Sequence, residues 1–227
     1  MPAPPSPPPS PPSPPSSRPR VGVLALQGDV REHVAALRRL GADAVAVRRA
    51  EEIEPLDGLV LPGGESTTIG RLAVRFGVMD AVRAFVARDR PVLGTCAGMV
   101  LLADRVLDGT PAQQDGSEVV GGLDVTVRRN AFGRQVDSFE TTVDLAGTPV
   151  PAVFIRAPWV ESAGPGVEVL ARAEGSPTHG DAAGRIVAVR QGALLATSFH
   201  PEIGDDPVVH RMFWDSVVDE ARTRRTG

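Results

Sequence analysis

From Val21 onward, short and continuously apolar runs alternate with segments whose apolar residues recur at helical spacing. The run "VGVLAL" precedes "DVREHVAALRRLG", a helical pattern that begins at an Asp and ends at a Gly, and "DAVAVR" follows as a second extended run. Two further buried-type strands, at 57–64 and 90–95, flank a helical stretch at 66–88 that is interrupted at Gly77. This alternation predicts a three-layer α/β fold, in which helices cover both faces of a mostly parallel sheet.

The second half of the sequence is richer in strands. Six extended segments occur in it: "DVTVRR", "DSFETTVDL", "AVFIRAPWV", "VEVLARA", "RIVAVRQG" and "ALLATSFHP". We expect several of them to be antiparallel additions to the sheet, followed by a closing helix from about Asp206 to Arg222. With no internal repeat and no second linker, the sequence predicts one folded domain at 21–222 and a short C-terminal tail at 223–227.

The first twenty residues, "MPAPPSPPPSPPSPPSSRPR", contain half of the 22 prolines of the chain. Such a segment has little to bury, and we expect 1–20 to be a disordered or polyproline tail. It lacks the apolar region of a signal peptide. An inert tail or a misassigned start is favoured over the alternative, a ligand for a proline-binding domain.

Composition excludes several classes of partner. Aromatic residues make up 4% of the chain with no tyrosine, the net charge is -4, and no basic tract occurs, so we expect no nucleic acid partner. No apolar stretch approaches the roughly 18 residues of a membrane span, and we expect no membrane association. A single cysteine cannot form an internal disulfide, which favours the reducing cytoplasm. We expect no metal ion and no cofactor.

That cysteine, Cys96, stands in "GTCAG" (94–98), between a predicted strand and a predicted helix. Gly-x-Cys-x-Gly in this context is the pattern of a nucleophile elbow with sulfur in place of the serine oxygen. The start of a helix favours a thiolate there. A lone cysteine is more often an inert small hydrophobe, but packing alone requires no flanking glycines.

A thiolate nucleophile needs a general base, and the base needs an orienting group. The segment "TSFHPEIG" (197–204) offers His200 at the end of an apolar strand and Glu202 two residues later. The carboxylate of Glu202 is predicted to bind one ring nitrogen of His200, leaving the other for the sulfur. The remaining histidines are expected to be surface or packing residues: His33 on the polar side of the first predicted helix, His179 in a loop and His210 in the last helix.

The glycine-rich segment "PGGES" (62–66) also follows a strand. Backbone N–H groups at such positions stabilise oxyanions, and we expect those of Gly64 and Ala97 to form an oxyanion hole. The alternative is an ordinary strand-to-helix turn with Ser66 as the helix N-cap, and both interpretations are compatible.

Together these motifs resemble the class I, triad-type glutamine amidotransferases. More specifically, six motifs in order resemble the glutaminase subunits of pyridoxal 5′-phosphate synthase, over about 21–214. They are "LALQGDVREH", "LPGGESTT", "GTCAGM", "RRNAFGRQVDSFE", "VFIRAP" and "SFHPE". The resemblance implies a flavodoxin-like amidotransferase domain at 21–222 that hydrolyses L-glutamine.

The resemblance also implies residue roles. Cys96 is the nucleophile, His200 the general acid and base, and Glu202 the residue that orients it. The implied glutamine-binding residues are Gly64, Glu65, Ser66, Arg129, Ile155 and Arg156. Either arginine is alternatively an ordinary salt-bridge residue at a strand end. Gln27 and Gly28 are implied to lie at an interface or to control the oxyanion hole, and Asp29 is given no catalytic role.

The implied partner is a barrel-shaped synthase subunit that consumes the ammonia within a large ring-shaped assembly. Two features depart from the family pattern, namely the proline-rich tail and the lengthened loop at 174–184, and neither touches the triad. Three alternatives remain: a glutaminase of another biosynthetic synthase, a non-catalytic regulatory module on the same fold, and a cysteine hydrolase or chaperone of the related intracellular-protease superfamily.

Overall fold

The computed structural model describes residues 18–131, 138–174 and 183–226. Within these ranges the chain forms twelve strands, six α-helices and a 3₁₀ helix at Ala50–Glu52. The strands are β1 (Arg20–Leu24), β2 (Asp43–Val47), β3 (Gly58–Leu61), β4 (Val92–Thr95), β5 (Ala103–Leu107), β6 (Leu123–Arg128), β7 (Phe139–Leu145), β8 (Thr148–Phe154), β9 (Trp159–Ala163), β10 (Glu168–Arg172), β11 (Ile186–Gln191) and β12 (Leu194–Thr197). The helices are α1 (Val30–Arg39), α2 (Ser66–Arg75), α3 (Met79–Val86), α4 (Ala97–Leu102), α5 (Pro111–Gln114) and α6 (Val208–Thr226).

Ten of the strands in the described ranges form one sheet. Its order is β2-β1-β3-β4-β12-β11-β9-β6-β5, with β10 paired to β11. The five strands from β2 to β12 are mutually parallel, and so are β5 and β6. Antiparallel pairs join β12 to β11, β11 to β9 and β9 to β6. This arrangement confirms the predicted parallel sheet with antiparallel additions, while β7 and β8 form a separate hairpin.

Alternate side chains of the central strands pack on opposite faces of the sheet. In β3, Leu59 and Leu61 belong to the core cluster that contains Phe85 of α3, whereas Val60 belongs to the cluster that contains Phe213 of α6. All five side chains are at most 1% exposed. A buried side chain of this size contributes roughly 1.5–3 kcal/mol. Two such layers explain why the strands are apolar on both faces, as the sequence predicted.

Three segments differ from the sequence prediction. The segment "AVFIRAPWV" was expected to be one strand, but it is divided into β8 and β9 by a turn in which Arg156 has a φ of +45°. After Cys96 the helix α4 is only six residues long, and the chain returns to the sheet as β5, which the sequence analysis did not anticipate. The last helix runs to Thr226, beyond the expected end at Arg222.

Some sequence-based expectations concern residues outside the described ranges. These are the proline-rich tail up to residue 17, positions 132–137 within "RNAFGRQVDSFE", and the loop at 175–182 that contains His179. Among the helices of the described ranges, none combines the length and the apolar character required to cross a bilayer.

Candidate active site

Three neighbouring parallel strands end at the same edge of the sheet, and each is followed by one of the predicted motifs. Gly64 follows β3, Cys96 follows β4 and His200 follows β12. The pairing of Thr95 with Thr197 aligns the ends of β4 and β12, so the cysteine and the histidine leave the sheet side by side. Ligands of open α/β sheets bind at this edge.

The turn at Cys96 explains the glycines around it. Cys96 has a φ of +47° and a ψ of -101°, an unfavourable conformation for a residue with a Cβ, and its N–H donates to the Thr197 carbonyl at 2.8 Å. A Cβ on Gly94 would lie 2.7 Å from the carbonyl of Gly98. One on Gly98 would overlap the carbonyl of Leu61. Only glycine therefore allows β3, β4 and α4 to approach closely enough to form this sharp turn.

His200 and Glu202 form a buried hydrogen-bonded pair. Nδ1 of His200 lies 2.8 Å from Oε1 of Glu202, and the two residues are 5% and 6% exposed. The backbone N–H of His200 donates to the carbonyl of Val153 in β8 at 3.0 Å, so the separate hairpin also holds the turn. Because Nδ1 faces the carboxylate, Nε2 is left for the sulfur of Cys96, whose proximity raises the pKa of His200.

A second carboxylate faces the same imidazole. Oδ2 of Asp29 lies 3.4 Å from Nδ1 of His200. Burial opposes the charged imidazolium, but the hydrogen bonds to Asp29, Cys96 and Glu202 outweigh it and raise the pKa of His200 to about 12. Burial also raises the pKa of Glu202, and the hydrogen bond from His200 opposes this shift. The site thus favours a charged histidine beside the sulfur.

Sequence reasoning missed this position of Asp29. The residue was interpreted as a helix start, and it does precede α1, yet its side chain makes no capping hydrogen bond. Its carboxylate, with His200 and Glu202, forms a cluster whose nearest ligand atoms lie within 4.8 Å of one another. Such a cluster has the donor types of a cation site. However, the histidine nitrogen nearest the two carboxylates is Nδ1, which is already hydrogen-bonded to Glu202 and is therefore not free to bind a metal. Hydrogen bonding to the histidine accounts for the grouping.

The glycine-rich loop after β3 is held by the loop that precedes α1. The side-chain oxygen of Gln27 accepts from the N–H of Glu65 at 2.8 Å, and the N–H of Asp29 donates to the carbonyl of Gly63 at 3.2 Å. Gly64, at a φ of +151°, is so close to Gln27 that a Cβ on it would lie 2.5 Å from the side-chain oxygen. The conformation of the Gly64 backbone is therefore coupled to Gln27.

A polar cluster forms the opposite wall. Glu65 caps α2, with its carboxylate accepting from the N–H groups of Thr67 and Thr68, and the alternative in which Ser66 is the N-cap is wrong. Burial opposes ionisation, but these contacts hold the pKa of Glu65 below its usual value. Arg129 lies 3.0 Å from the same carboxylate.

A buried glutamine completes this wall. Gln113 of α5 accepts from Arg129 at 2.9 Å and donates to Ser66 Oγ at 3.1 Å. No motif pointed to Gln113, because a single glutamine in a short helix carries no recognisable pattern. Arg129 is thus already paired with Glu65 and Gln113, in agreement with the salt-bridge alternative, although the pair lies at the site.

These groups surround a cavity of about 270 Å³. Every predicted site residue lines it except Glu202, which lies behind His200, and Gly28. The carbonyl of Ile155 lies 3.9 Å from Sγ of Cys96. The exposed Arg156 also lines the cavity, with no hydrogen bond or ion pair to its guanidinium among the described residues. The cavity is slightly smaller than the roughly 300–1,000 Å³ of drug-sized pockets, a volume that suits a small metabolite.

Two of the other histidines lie behind this site. His33 was expected on the polar side of α1, but it is completely buried and contacts His210 of α6, which is 1% exposed. Both are buried, which agrees with the expectation of packing residues and not with that of surface residues. Neither is at the surface, because the first turn of α6 packs against α1 at this point.

Known proteins resemble this chain over nearly its whole length. The family model described as the SNO glutamine amidotransferase family matches residues 23–219. A relative from Kineococcus radiotolerans, named pyridoxal 5′-phosphate synthase subunit PdxT, is 63% identical over 93% of this chain and 99% of its own. A relative of the same name from a Nocardioides species is 58% identical over 90% of this chain and 99% of its own. A crystal structure of a glutamine amidotransferase superposes with a TM-score of 0.76 at 48% identity, covering 87% of this chain and 98% of the other. The chain belongs to the SNO glutamine amidotransferase family.

Proposed function

We propose that this protein is the glutaminase subunit of a pyridoxal 5′-phosphate synthase, which hydrolyses L-glutamine to L-glutamate and ammonia for use by the synthase subunit. The family and the relatives named PdxT support the activity and the pathway. The observation that carries the chemistry is the contact of Cys96, His200 and Glu202 at adjacent strand ends beside the cavity. That geometry supports a catalytic triad.

In the first half of the reaction, the thiolate of Cys96 attacks the amide carbon of glutamine. The C–S bond forms as the electrons of the carbonyl π bond move onto oxygen, and the N–H groups of Gly64 and Ala97 stabilise the oxyanion. When the carbonyl re-forms, the C–N bond breaks. The His200 imidazolium gives its proton to the departing nitrogen, which leaves as ammonia from a thioester.

In the second half, neutral His200 removes a proton from water as the water oxygen attacks the thioester. The second tetrahedral intermediate collapses with cleavage of the C–S bond, releasing glutamate and returning the thiolate and imidazolium pair. Glu202 keeps Nδ1 protonated and hydrogen-bonded throughout, so that Nε2 carries the transferred proton. A positioned acid and base of this type contributes typically 10²–10⁴-fold to the rate.

The polar wall supports recognition of the amino acid end of glutamine. Arg129 is paired with Glu65, whereas the guanidinium of Arg156 has no hydrogen bond or ion pair with the described residues and is the one we assign to the α-carboxylate. Asp29 and Glu65 are the acidic residues that line the cavity, and because Asp29 faces His200 we assign Glu65 to the α-ammonium. Ser66 and Ile155 complete the substrate-binding set.

The partner of this reaction is the synthase subunit. Ammonia released into water would be protonated and lost as a nucleophile, which favours direct transfer within an assembly. The contacts of Gln27 and Gly28 with the Gly64 loop support a role for this region in docking and oxyanion-hole control. We assign the catalytic domain to 20–226, because β1 begins at Arg20 and α6 runs to Thr226, beyond the expected bounds of 21 and 222. We place the reaction in the cytoplasm.

Another synthase could in principle receive the ammonia, and a regulatory module could keep the fold without the activity. The names of the relatives favour the pyridoxal 5′-phosphate pathway. The presence of Cys96, His200 and Glu202 together at adjacent strand ends, with His200 hydrogen-bonded to Glu202, favours an enzyme over a regulatory module.

The test is glutamate release from glutamine by the purified chain, alone and with the synthase subunit, beside Cys96→Ala. Stimulation by the synthase that is abolished by Cys96→Ala is the expected result. Activity that ignores the synthase would contradict the pathway, and no activity under either condition would contradict the triad.

A second test concerns the proline-rich tail. A chain beginning at Val21 is expected to bind the synthase as tightly as the full chain, since we propose that the proline-rich segment takes no part in docking. Much tighter binding of the truncated chain, measured by titration calorimetry, would show that the tail obstructs docking.

A further inference from the structure

Behind the proposed triad lies a pair of buried histidines that the reaction described above does not use. His33 of α1 and His210 of α6 are 0% and 1% exposed. An imidazole has two polar nitrogens, and burying it is costly unless they find partners. The pair therefore requires an explanation beyond the filling of space.

The contacts of His33 lead directly to Glu202. Nδ1 of His33 lies 2.9 Å from Nε2 of His210, and Nε2 of His33 lies 3.2 Å from Oγ1 of Thr95. The same Nε2 lies 3.4 Å from Oε2 of Glu202, the oxygen that does not face His200. Oε2 is completely buried and has no other polar partner in the described part of the chain. Among the described residues, His33 is the side chain positioned to donate to Oε2.

Both histidines are neutral in this environment. Burial lowers the pKa of His33 well below its usual value, and the charges of His210 and His200 lower it further. Burial, and then the charge of Arg39 on α1, lower the pKa of His210 to about 4. In the described ranges, the ionisable groups that act on the pair are His200, Glu202 and Arg39.

Neutrality fixes the direction of the hydrogen bonds. In a contact between two neutral imidazoles, one nitrogen must donate and the other accept. If His33 donated from Nδ1, its Nε2 lone pair would face the Glu202 carboxylate, and Nδ1 of His210, which has no partner, would be a buried and unsatisfied N–H. The opposite arrangement avoids both penalties. His210 then donates from Nε2, and His33 donates from Nε2 toward Glu202 and Thr95.

We propose that His33, fixed in its Nε2–H tautomer by His210, is a positioning residue that donates to Oε2 of Glu202 and so holds the carboxylate in place for His200. The inference rests on the proposed function of the triad. Without this donor, Oε2 would be a buried carboxylate oxygen with no hydrogen bond, and the charged form of Glu202 would be less stable. A relay of four residues, from His210 through His33 and Glu202 to His200, then maintains the charge beside the nucleophile.

The kinetic test compares His33→Leu with His33→Gln, using the full chain and a saturating amount of synthase subunit. His33→Leu removes the donor, and we expect kcat to fall about 10- to 100-fold with little change in KM. Because loss of a donor raises the pKa of Glu202, the acid limb of the kcat profile should move upward by about one pH unit. His33→Gln retains an N–H donor of similar reach and should restore part of the rate and the position of the limb.

A spectroscopic test does not depend on activity. Nitrogen and carbon NMR shifts of labelled wild-type protein distinguish the two neutral tautomers and the charged ring. We expect both His33 and His210 to be neutral Nε2–H tautomers at pH 7. A charged His33, or one protonated at Nδ1, would overturn the proposal, as would a His33→Leu variant whose acid limb does not move. If wild type hydrolysed no glutamine, the proposed function would fail while the tautomer measurement still decided this inference.

Discussion

Substitution of Asp29 by Asn removes a negative charge 3.4 Å from Nδ1 of His200 and keeps the size of the side chain. Asparagine is also a favourable residue before a helix, so α1 should be preserved. Asp29 stabilises the imidazolium, and its removal must lower the pKa of His200. The proton needed for departure of ammonia should then be lost at a lower pH than in the wild type.

The magnitude follows from the distance and the exposure. Two unit charges 3.4 Å apart interact by about 5 kcal/mol at an effective dielectric constant of 20. The side chain of Asp29 is 42% exposed, and solvent screening reduces this value considerably. We therefore expect a decrease of about 1–2 pKa units, equivalent to about 1.4–2.7 kcal/mol. The pKa of His200 would fall from about 12 to about 10–11.

The assay is an NMR titration of His200 in the isolated chain, combined with the alkaline limb of kcat/KM at saturating synthase subunit. Glu32→Gln is the matched control, because Glu32 carries the same charge on the same helix with a side chain 43% exposed, and its recorded ion pair is with Arg31. The reasoning is refuted if the pKa of His200 stays unchanged in Asp29→Asn, or if Glu32→Gln lowers it equally.

Other consequences concern the packing and the polar wall. Ala normally stabilises a helix relative to Gly by about 1 kcal/mol. Gly98→Ala should instead reduce the free energy of unfolding by about 1–3 kcal/mol, because the added Cβ would overlap the carbonyl of Leu61. Urea unfolding measures the sign of this change. Gln113→Leu removes one acceptor from Arg129 and should raise KM for glutamine several-fold with a smaller change in kcat, as steady-state kinetics would show. Arg129→Met leaves the partly buried Glu65 without its cation and should raise KM more than Gln113→Leu does, and an equal or smaller effect would contradict the assigned wall.

The parts of the site that were predictable from sequence are carried by local patterns. Cys96 between two glycines, and His200 two residues before Glu202, each stand in a short motif at the end of an apolar strand. The parallel arrangement of those strands then implies their proximity. The positive φ of Cys96 and the close packing at Gly94 and Gly98 are the physical reasons why the first motif is recognisable.

The remaining parts depend on contacts between distant segments. Asp29 follows a helix-start pattern, and only the packing of its loop against the Gly64 loop brings its carboxylate to His200. His33 was assigned to a polar face because helical spacing alone cannot show that α6 covers it. The turn at Arg156 likewise interrupts an extended run that has no glycine, and Pro158 was not interpreted as the mark of a break.

The order of strands in the sheet has a consequence for synthesis of the chain. The nucleophile follows β4, but the histidine follows β12, which is inserted beside β4 only after about one hundred further residues have been made. Domains fold as they emerge, and the early strands β1 to β4 can pair before β12 exists. A nascent or prematurely terminated chain thus contains the cysteine without its general base. The pairing of β12 with β4, which completes the parallel part of the sheet, also brings His200 to Cys96. Incomplete products should consequently waste no glutamine in the cell.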